Sequence, residues 1–358
     1  MNKYSLFLFC FSMLFFSCVK DKPNPDHLQL PDQSYHGVIL VNEGAFGNNN
    51  GDLSFIDLNN NIIYNQLYKL SNNKSLGDII QSATLINDKY YIAINNSNKI
   101  VVIDRLSFKE MTIIHGIQSP RYILQVNPNT AYISSLYNNL IYVLDIPSNT
   151  IKKTISIDSQ NPEAMKMIDQ YCYVTSWDTA SSTVYKINTL NDSIEKRIDI
   201  QGRASHGIQK DINNHLWILS GNKYKNKISH LTRYNPSTQL IDATFTFKSD
   251  EDPFRLTMNS RGDTLYFINI NYAGASTNNG LYKMSIYDLN LPTMPFISAP
   301  PNSYFWAVGI DSLTNHIFLS DPKGFTQQTT IYQYSNNGEL INQFNAGIGT
   351  NSFIFKYK

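Results

Sequence analysis

Few residues in this chain stand at the spacings that known catalytic chemistry requires. The zinc motif HExxH, the nucleophile motif GxSxG, a phosphate-binding Walker loop and a Cys-x-x-Cys pair are all absent. The seven histidines are scattered, and His215 and His316 begin equivalent segments of a repeat, which indicates repeat symmetry rather than a metal pair. We therefore predict a protein that is not an enzyme and holds neither a metal ion nor a cofactor.

Each of the first three repeated segments has an aspartate at the same position. Asp57, Asp104 and Asp145 stand at the ends of equivalent strands, just before Asn- or Ser-containing turns. Side chains of this type bond to nearby backbone amides and stabilise turns. We predict that these carboxylates cap turns. A lactonase-type metal enzyme stays open as an alternative through Glu43 and Glu163, but it would need a convergent ring of acidic and amide groups.

A set of aromatic and polar residues is the best candidate for a binding surface. Its members lie in the loops between second and third strands of the repeats or in the links between repeats, and these segments should meet on one face. Such a mixture around a concave mouth suits a bulky, amphipathic ligand. The alternative is that Trp306, Arg121 and Arg255 pack between strands and never meet a ligand. The predicted ligand-binding residues are Phe46, Trp177, Tyr224, Tyr272, Trp306, Arg121, His206 and Arg255. We also place Lys74 among the links of this face.

The element that must position these residues is a repeated β-meander. In Lys89–Ile114 three short runs alternate apolar residues with period two, and Asn- and Ser-rich turns separate them. Copies recur at intervals of 41 to 50 residues, measured between equivalent strand residues from Ile56 to Gln333. This period is typical of β-propeller blades. In the first copy the last β segment is predicted over Ile62–Leu70.

The ends of the repeat region predict how the ring closes. Six copies have a further strand in front of them, whereas the first copy has none. The C-terminal segment Asn351–Lys358 is a strand without a blade of its own. We predict an all-β, seven-bladed β-propeller of four-stranded blades over residues 35–358, with the ring closed by the C-terminal strand. A β-sandwich of hairpins is the alternative.

The N-terminus has the pattern of a targeting segment. Lys3 precedes the apolar run Tyr4–Phe16, which is too short to span a membrane, and Ser17-Cys18 follows. This segment resembles the lipobox of bacterial lipoproteins, and Lys20-Asp21 resembles an export signal to the cell exterior. We predict a signal peptide over residues 1–17, lipidation of Cys18, and a flexible, lipidated tether over residues 18–34 that anchors the protein to the outer membrane. A signal peptide that is cut elsewhere, leaving a secreted protein, is the alternative.

Charge and cysteine content exclude two further classes of protein. Without Lys3 the chain has 28 basic and 28 acidic residues, so its surface offers no general attraction to nucleic acid. Beyond the targeting segment, Cys172 stands alone between Tyr171 and Tyr173 in a strand pattern. It is predicted to be a small buried residue, and no disulfide framework exists.

The segment Gly37–Asp57 resembles the first blade of YncE-like surface propellers of Bacteroidota. The shared pattern comprises Asn42-Glu43-Gly44, Gly47, Asn48, Leu53-Ser54 and Asp57. Leu76-Gly77-Asp78 and the segment 91–100 are similar to the second blade of that group, and the segment 347–358 is similar to its closing strand.

This resemblance, and in particular that to the BtuG-like branch, implies a function. It implies a lipid-anchored surface protein that captures cobalamin, a related corrinoid or another bulky small molecule. The ligand would then pass to a TonB-dependent receptor barrel in the outer membrane, without catalysis. The ligand-binding residues named above follow from the repeat and not from the resemblance. A propeller for protein–protein or glycan binding is the alternative, and a lactonase-like enzyme is a third.

Overall fold

The chain folds into a closed ring of seven antiparallel sheets. The computed structural model describes residues 30–31, 36–270 and 278–357, and within them it contains seven four-stranded sheets, one short α-helix and two single-turn 3-10 helices. The predicted seven-bladed β-propeller is therefore confirmed. The signal segment 1–17, Cys18 and Tyr272 lie outside the described residues, as does nearly all of the predicted tether.

Blades are numbered in chain order, and each of blades 2 to 7 uses four consecutive strands. Blade 2 contains β4 (Ile80–Ile86), β5 (Lys89–Ile94), β6 (Lys99–Asp104) and β7 (Glu110–Ile114). Blade 3 contains β8 (Pro120–Asn127), β9 (Thr130–Ser135), β10 (Leu140–Asp145) and β11 (Thr150–Ser156). Blade 4 contains β12 (Pro162–Ile168), β13 (Tyr171–Ser176), β14 (Thr183–Asn188) and β15 (Ser193–Asp199).

The next three blades repeat this order of strands. Blade 5 contains β16 (Ser205–Lys210), β17 (Leu216–Asn222), β18 (Lys227–Asn235) and β19 (Leu240–Thr246). Blade 6 contains β20 (Asp252–Met258), β21 (Thr264–Ile270), β22 (Gly280–Ser285) and β23 (Ile297–Ser298). Blade 7 contains β24 (Ala307–Ile310), β25 (Ile317–Asp321), β26 (Thr330–Tyr334) and β27 (Leu340–Asn345).

Blade 1 is assembled from both ends of the chain. It contains β1 (Gly37–Asn42), β2 (Asp52–Asp57) and β3 (Ile62–Tyr64), and β28 (Thr350–Lys356) is its innermost strand. Strands β1 and β28 pair in antiparallel register, with Leu40 opposite Phe353. The predicted closure by the C-terminal strand is confirmed.

One expectation for blade 1 is wrong. The segment predicted as a strand over Ile62–Leu70 ends its β structure at Tyr64 and continues as helix α1 (Leu67–Asn72). The buried carboxylate of Asp52 accepts hydrogen bonds from the backbone N–H groups of Tyr68 (2.9 Å) and Lys69 (3.1 Å). These are among the N–H groups that a helix leaves without internal partners at its start, so Asp52 stabilises the helical turn. None of the described helices is long and apolar enough to cross a membrane.

The core consists of apolar layers between neighbouring blades. In β5, Tyr90 and Ile92 pack in the layer between blades 1 and 2, whereas Tyr91 and Ala93 pack in the layer between blades 2 and 3. Successive side chains of a strand point to opposite faces, so each blade buries one face against each neighbour. This is why a single meander is unstable and seven of them form a rigid ring.

The predicted turn capping by aspartates is also confirmed. Asp57 accepts a hydrogen bond from the backbone N–H of Asn59 (2.9 Å), and Asp104 accepts one from Ser107 (2.8 Å). Asp145 accepts the equivalent bond from Ser148 (3.1 Å). Cys172 is fully buried, as predicted, and burial raises the pKa of its thiol.

Candidate ligand-binding site

The innermost strands carry a β-bulge close to their starts, and the bulges form a ring around the channel. The register between the first two strands of a blade shifts at Gln81, Arg121, Glu163, His206 and Arg255, and the register between β28 and β1 shifts at Asn351. An extra residue in a strand bends it and redirects a side chain. In blade 7, Trp306 directly precedes β24 and occupies the equivalent position.

These side chains surround a cavity of about 740 Å³ in the middle of the ring. Each blade therefore contributes one residue to a girdle, which we call the channel girdle. The loop residues Trp177 and Tyr224 and the buried Glu43 line the same cavity. The channel girdle consists of Gln81, Arg121, Glu163, His206, Arg255, Trp306 and Asn351.

Arg121 is fully engaged by its neighbours in the channel girdle. Its Nε donates to Glu163 Oε2 (2.8 Å) and its Nη2 donates to Glu163 Oε1 (2.5 Å), while its other terminal nitrogen donates to Gln81. The guanidinium also lies 5.6 Å from the centre of the Trp177 ring. Burial lowers the pKa of Arg121, but the adjacent Glu163 carboxylate outweighs this effect and raises the pKa above its ordinary value.

Arg255 is held differently. Its Nε donates to the backbone carbonyl of Trp306 (3.1 Å), and its guanidinium carbon lies 5.2 Å from the centre of the Trp306 ring. The Arg255 backbone has φ = 56°, in the left-handed region that non-glycine residues rarely adopt. Such strain is retained where the surrounding structure enforces it, frequently at functional sites.

Glu43 joins the first and seventh blades beneath these aromatic rings. The indole N–H of Trp306 donates to Glu43 Oε1 (2.6 Å), and the nearby Asn351 amide also favours the charged form of this carboxyl group. Burial raises the pKa of Glu43, and the charges of Arg255 and Arg121 only partly counteract that effect.

His206 completes the wall between blades 4 and 6. Burial lowers the pKa of its imidazole to about 4, and the nearby positive charge of Arg255 acts in the same direction. The imidazole is therefore neutral at pH 7. Burial likewise lowers the pKa of Lys166, whose Nζ donates to Gln209 Oε1 (3.2 Å) on the cavity wall.

Six of the eight predicted ligand-binding residues line this one cavity. They are Trp177, Tyr224, Trp306, Arg121, His206 and Arg255. Phe46 is 78% exposed in the loop between β1 and β2 and does not line the cavity. Tyr272 lies outside the described residues.

Two residues of the channel girdle, Gln81 in blade 2 and Asn351 in blade 1, were not among the predicted ligand-binding residues. Lys74 forms an ion pair with Glu110 (2.9 Å) and does not line the cavity, whereas Gln81 does. Asn351 was recognised as part of the closing strand but not as a girdle residue. An alignment of the innermost strands could have found both, because Gln81 and Asn351 directly precede the serines that align with Tyr122.

The cavity could be considered as a metal centre because carboxylates and a histidine line it. Within residues 30–31, 36–270 and 278–357, however, no three His, Cys, Asp or Glu side chains gather as metal ligands. Its two buried carboxylates, Glu43 and Glu163, are instead bonded to Trp306 and Arg121. The arrangement presents aromatic faces, amides and a guanidinium to a ligand.

Comparison with solved structures identifies similar folds. A quinonprotein alcohol dehydrogenase-like protein from Bacteroides thetaiotaomicron VPI-5482 matches with a TM-score of 0.67 and 14% identity, over 90% of this chain and 79% of that one. The periplasmic gluconolactonase of Pseudomonas aeruginosa matches with a TM-score of 0.66 and 8% identity, over 89% of this chain and 98% of that one. At these identities the likeness concerns the fold alone.

Further comparisons separate the fold from the sequence family. Hydrazine synthase of Kuenenia stuttgartiensis matches with a TM-score of 0.59 and 11% identity, over 75% of this chain and 87% of that one. No curated protein matches the sequence significantly. Residues 36–353 match the family model described as Domain of unknown function (DUF5074). Since this match covers nearly the whole propeller, the chain belongs to the DUF5074 family.

Proposed function

We propose that this propeller is a binding protein that captures a bulky, amphipathic small molecule in its central cavity and does not transform it. The observation that carries the proposal is the cavity of about 740 Å³ inside the channel girdle. Pockets of this size lined by aromatic groups and a few directed polar groups are typical of small-molecule sites. Because seven packed blades preform the wall, binding requires little ordering of the protein.

The proposed ligand is cobalamin or a related corrinoid. A corrin ring is broad, flat and fringed with amides, and the cavity offers the ring of Trp306, the ring of Trp177 and the amides of Gln81 and Asn351. Flat rings stack on aromatic faces, and amide groups bond to one another. The resemblance of Gly37–Asp57 to YncE-like and BtuG-like surface propellers supports the same ligand class.

The proposal includes a cellular context. Acylated at Cys18 and tethered by residues 18–34, the propeller would stay next to a TonB-dependent receptor barrel in the outer membrane, facing the cell exterior. A tether of this kind raises the effective concentration of two partners. The captured ligand would then pass from the propeller to the barrel without chemical change.

Isothermal titration calorimetry of the purified protein with cyanocobalamin tests this function. We expect one-to-one binding that Tyr224→Ala weakens about tenfold, since loss of a stacked aromatic ring costs about 1–1.5 kcal/mol. Tyr287→Ala is the matched control. Tyr224 is 75% exposed and lines the cavity, whereas Tyr287 is 68% exposed in the loop after β22 and does not line the cavity.

The two variants separate cavity binding from surface adsorption. Equal weakening by Tyr224→Ala and Tyr287→Ala would contradict binding in the cavity. Absence of heat with cyanocobalamin would remove corrinoids as the ligand class.

A further inference from the structure

The channel girdle contains two arginines whose electrostatic surroundings differ. The guanidinium of Arg121 forms hydrogen bonds on both sides, to Glu163 and to Gln81. Arg255 uses only its Nε, which donates to the carbonyl of Trp306. Within the described residues, the two terminal nitrogens of Arg255 form no hydrogen bond.

The neighbours of Arg255 in the ring do not neutralise it. His206 precedes it and Trp306 follows it, and neither carries a negative charge. The charges of Glu43 and Arg255 interact, but no ion pair within 4.0 Å joins them in the part of the chain that the structure describes. The Glu43 carboxyl group instead accepts a hydrogen bond from the indole N–H of Trp306.

We propose that Arg255, with His206 and Trp306 beside it, forms an anion-binding subsite that takes a carboxylate or phosphate group of the captured ligand. The two terminal nitrogens of a guanidinium form a planar fork that matches two oxygens of either anion. Trp306 orients this fork in two ways, since its carbonyl accepts from Nε and its ring lies 5.2 Å from the guanidinium carbon. The inference rests on the proposed function, because the subsite lies in the same cavity.

The backbone of Arg255 supports a dedicated role for this side chain. The bulge in β20 gives Arg255 a left-handed backbone, and the side chain is thereby directed to the cavity and not into the apolar layer between the blades. A cation in a partly water-excluded wall is costly unless an opposite charge accompanies it. Arg121 has that partner within the protein, whereas Arg255 would receive it from the ligand.

Inorganic phosphate and acetate are the probes that test the subsite. Binding is measured through the tryptophan fluorescence of the full protein, because Trp306 lies against Arg255. We expect Arg255→Gln to weaken binding of either probe at least about tenfold, as for loss of a charge-assisted bidentate contact. We expect Arg261→Gln, which removes the same charge from an exposed site in the same blade, to leave binding unchanged.

Arg255→Lys keeps the charge without the fork and gives a second measurement if Arg255→Gln fails to fold. We expect it to weaken both probes, because the charge is kept but the fork that bonds to two oxygens is lost. Equal binding of both probes by the wild type, Arg255→Gln and Arg255→Lys would overturn the subsite. Absence of any response in the wild type up to about 50 mM probe would overturn it as well.

The failures of the two proposals are distinguishable. Tyr224-dependent binding of cyanocobalamin without any response to phosphate or acetate would support capture in the cavity and overturn the anion subsite. Arg255-dependent binding of phosphate without binding of cyanocobalamin would support the subsite and overturn the corrinoid as the ligand.

Discussion

Removal of the Glu163 carboxylate should destabilise the ring more than the loss of an ordinary surface charge. The Arg121 side chain is 13% exposed and that of Glu163 is 3% exposed, and two hydrogen bonds of 2.8 and 2.5 Å join them. Removing one partner of a buried pair costs about 3–5 kcal/mol, because the other charge stays buried. Arg121 borders a cavity and keeps its bond to Gln81, so for Glu163→Gln we expect the lower end, about 3 kcal/mol.

The assay is urea denaturation of the wild type and variants at pH 7.5, followed by tryptophan fluorescence and circular dichroism. The double variant Arg121→Gln/Glu163→Gln removes both charges and should be less destabilised than the sum of the two single variants, by about 2 kcal/mol. Glu195→Gln is the matched control. Glu195 pairs with Lys186 at 2.6 Å in the same blade, on the outer strands where solvent screens the charges.

Two outcomes would refute this reasoning. Glu163→Gln could lower the free energy of unfolding no more than Glu195→Gln does, which would mean that the pair behaves as a surface pair. Alternatively, the effects of the two single variants could simply add in the double variant, which would show that Arg121 and Glu163 are not coupled. Either result would also weaken the contrast between Arg121 and Arg255 on which the anion subsite depends.

Two further predictions concern the same girdle. His206 has a pKa of about 4 in the fold against an ordinary 6.5, so its neutral form contributes stability above pH 6.5 that is lost as the pH falls toward 4. Between pH 7.5 and 5 the wild type should lose about 2 kcal/mol more unfolding free energy than His206→Gln, and a pH-independent difference would contradict this. Asn351 donates to the carbonyls of Ile80 (2.7 Å) and Gln81 (3.2 Å), so Asn351→Ala should cost about 1–3 kcal/mol in urea denaturation by leaving buried carbonyls unpaired. Ser352→Ala removes a hydroxyl that, within the described residues, donates to Asn351 Oδ1 alone, so it should cost less, and an equal loss would argue against the link between blades.

The architecture was predictable because its determinants are periodic. Alternation with period two identified strands such as β5 and β12, and the recurrence of 41 to 50 residues identified blades. The closing strand could be predicted by counting the strands of each repeat, because blade 1 lacked an innermost strand and the C-terminal strand belonged to no other blade. Helix α1 was not predicted because the side chain that stabilises its first turn is Asp52, which lies in strand β2 and not next to the helix in the sequence.

The chemistry of the site was predictable only in part. The types of residue on the face were identified, and six of the eight named residues line the cavity. The ion pair between Arg121 and Glu163 was not predicted, because this contact joins two blades and depends on a bulge in each. A bulge is one inserted residue without a residue-type signature, so no periodic pattern reports it. Lys74 was placed on this face because it lies in the link in front of β4, but the girdle position of blade 2 is Gln81, at the bulge of β4 itself.

Residues at equivalent positions of the channel girdle differ in their contacts, even where the residue type is the same. All seven positions are equivalent in the fold, yet the arginine in blade 3 pairs with a carboxylate of the next blade, whereas the arginine in blade 6 bonds to a backbone carbonyl. The difference lies in the neighbouring blades: Glu163 follows Arg121, while His206 and Trp306 flank Arg255. The ligand specificity of such a propeller should therefore depend on which charged girdle residues lack a partner in the next blade.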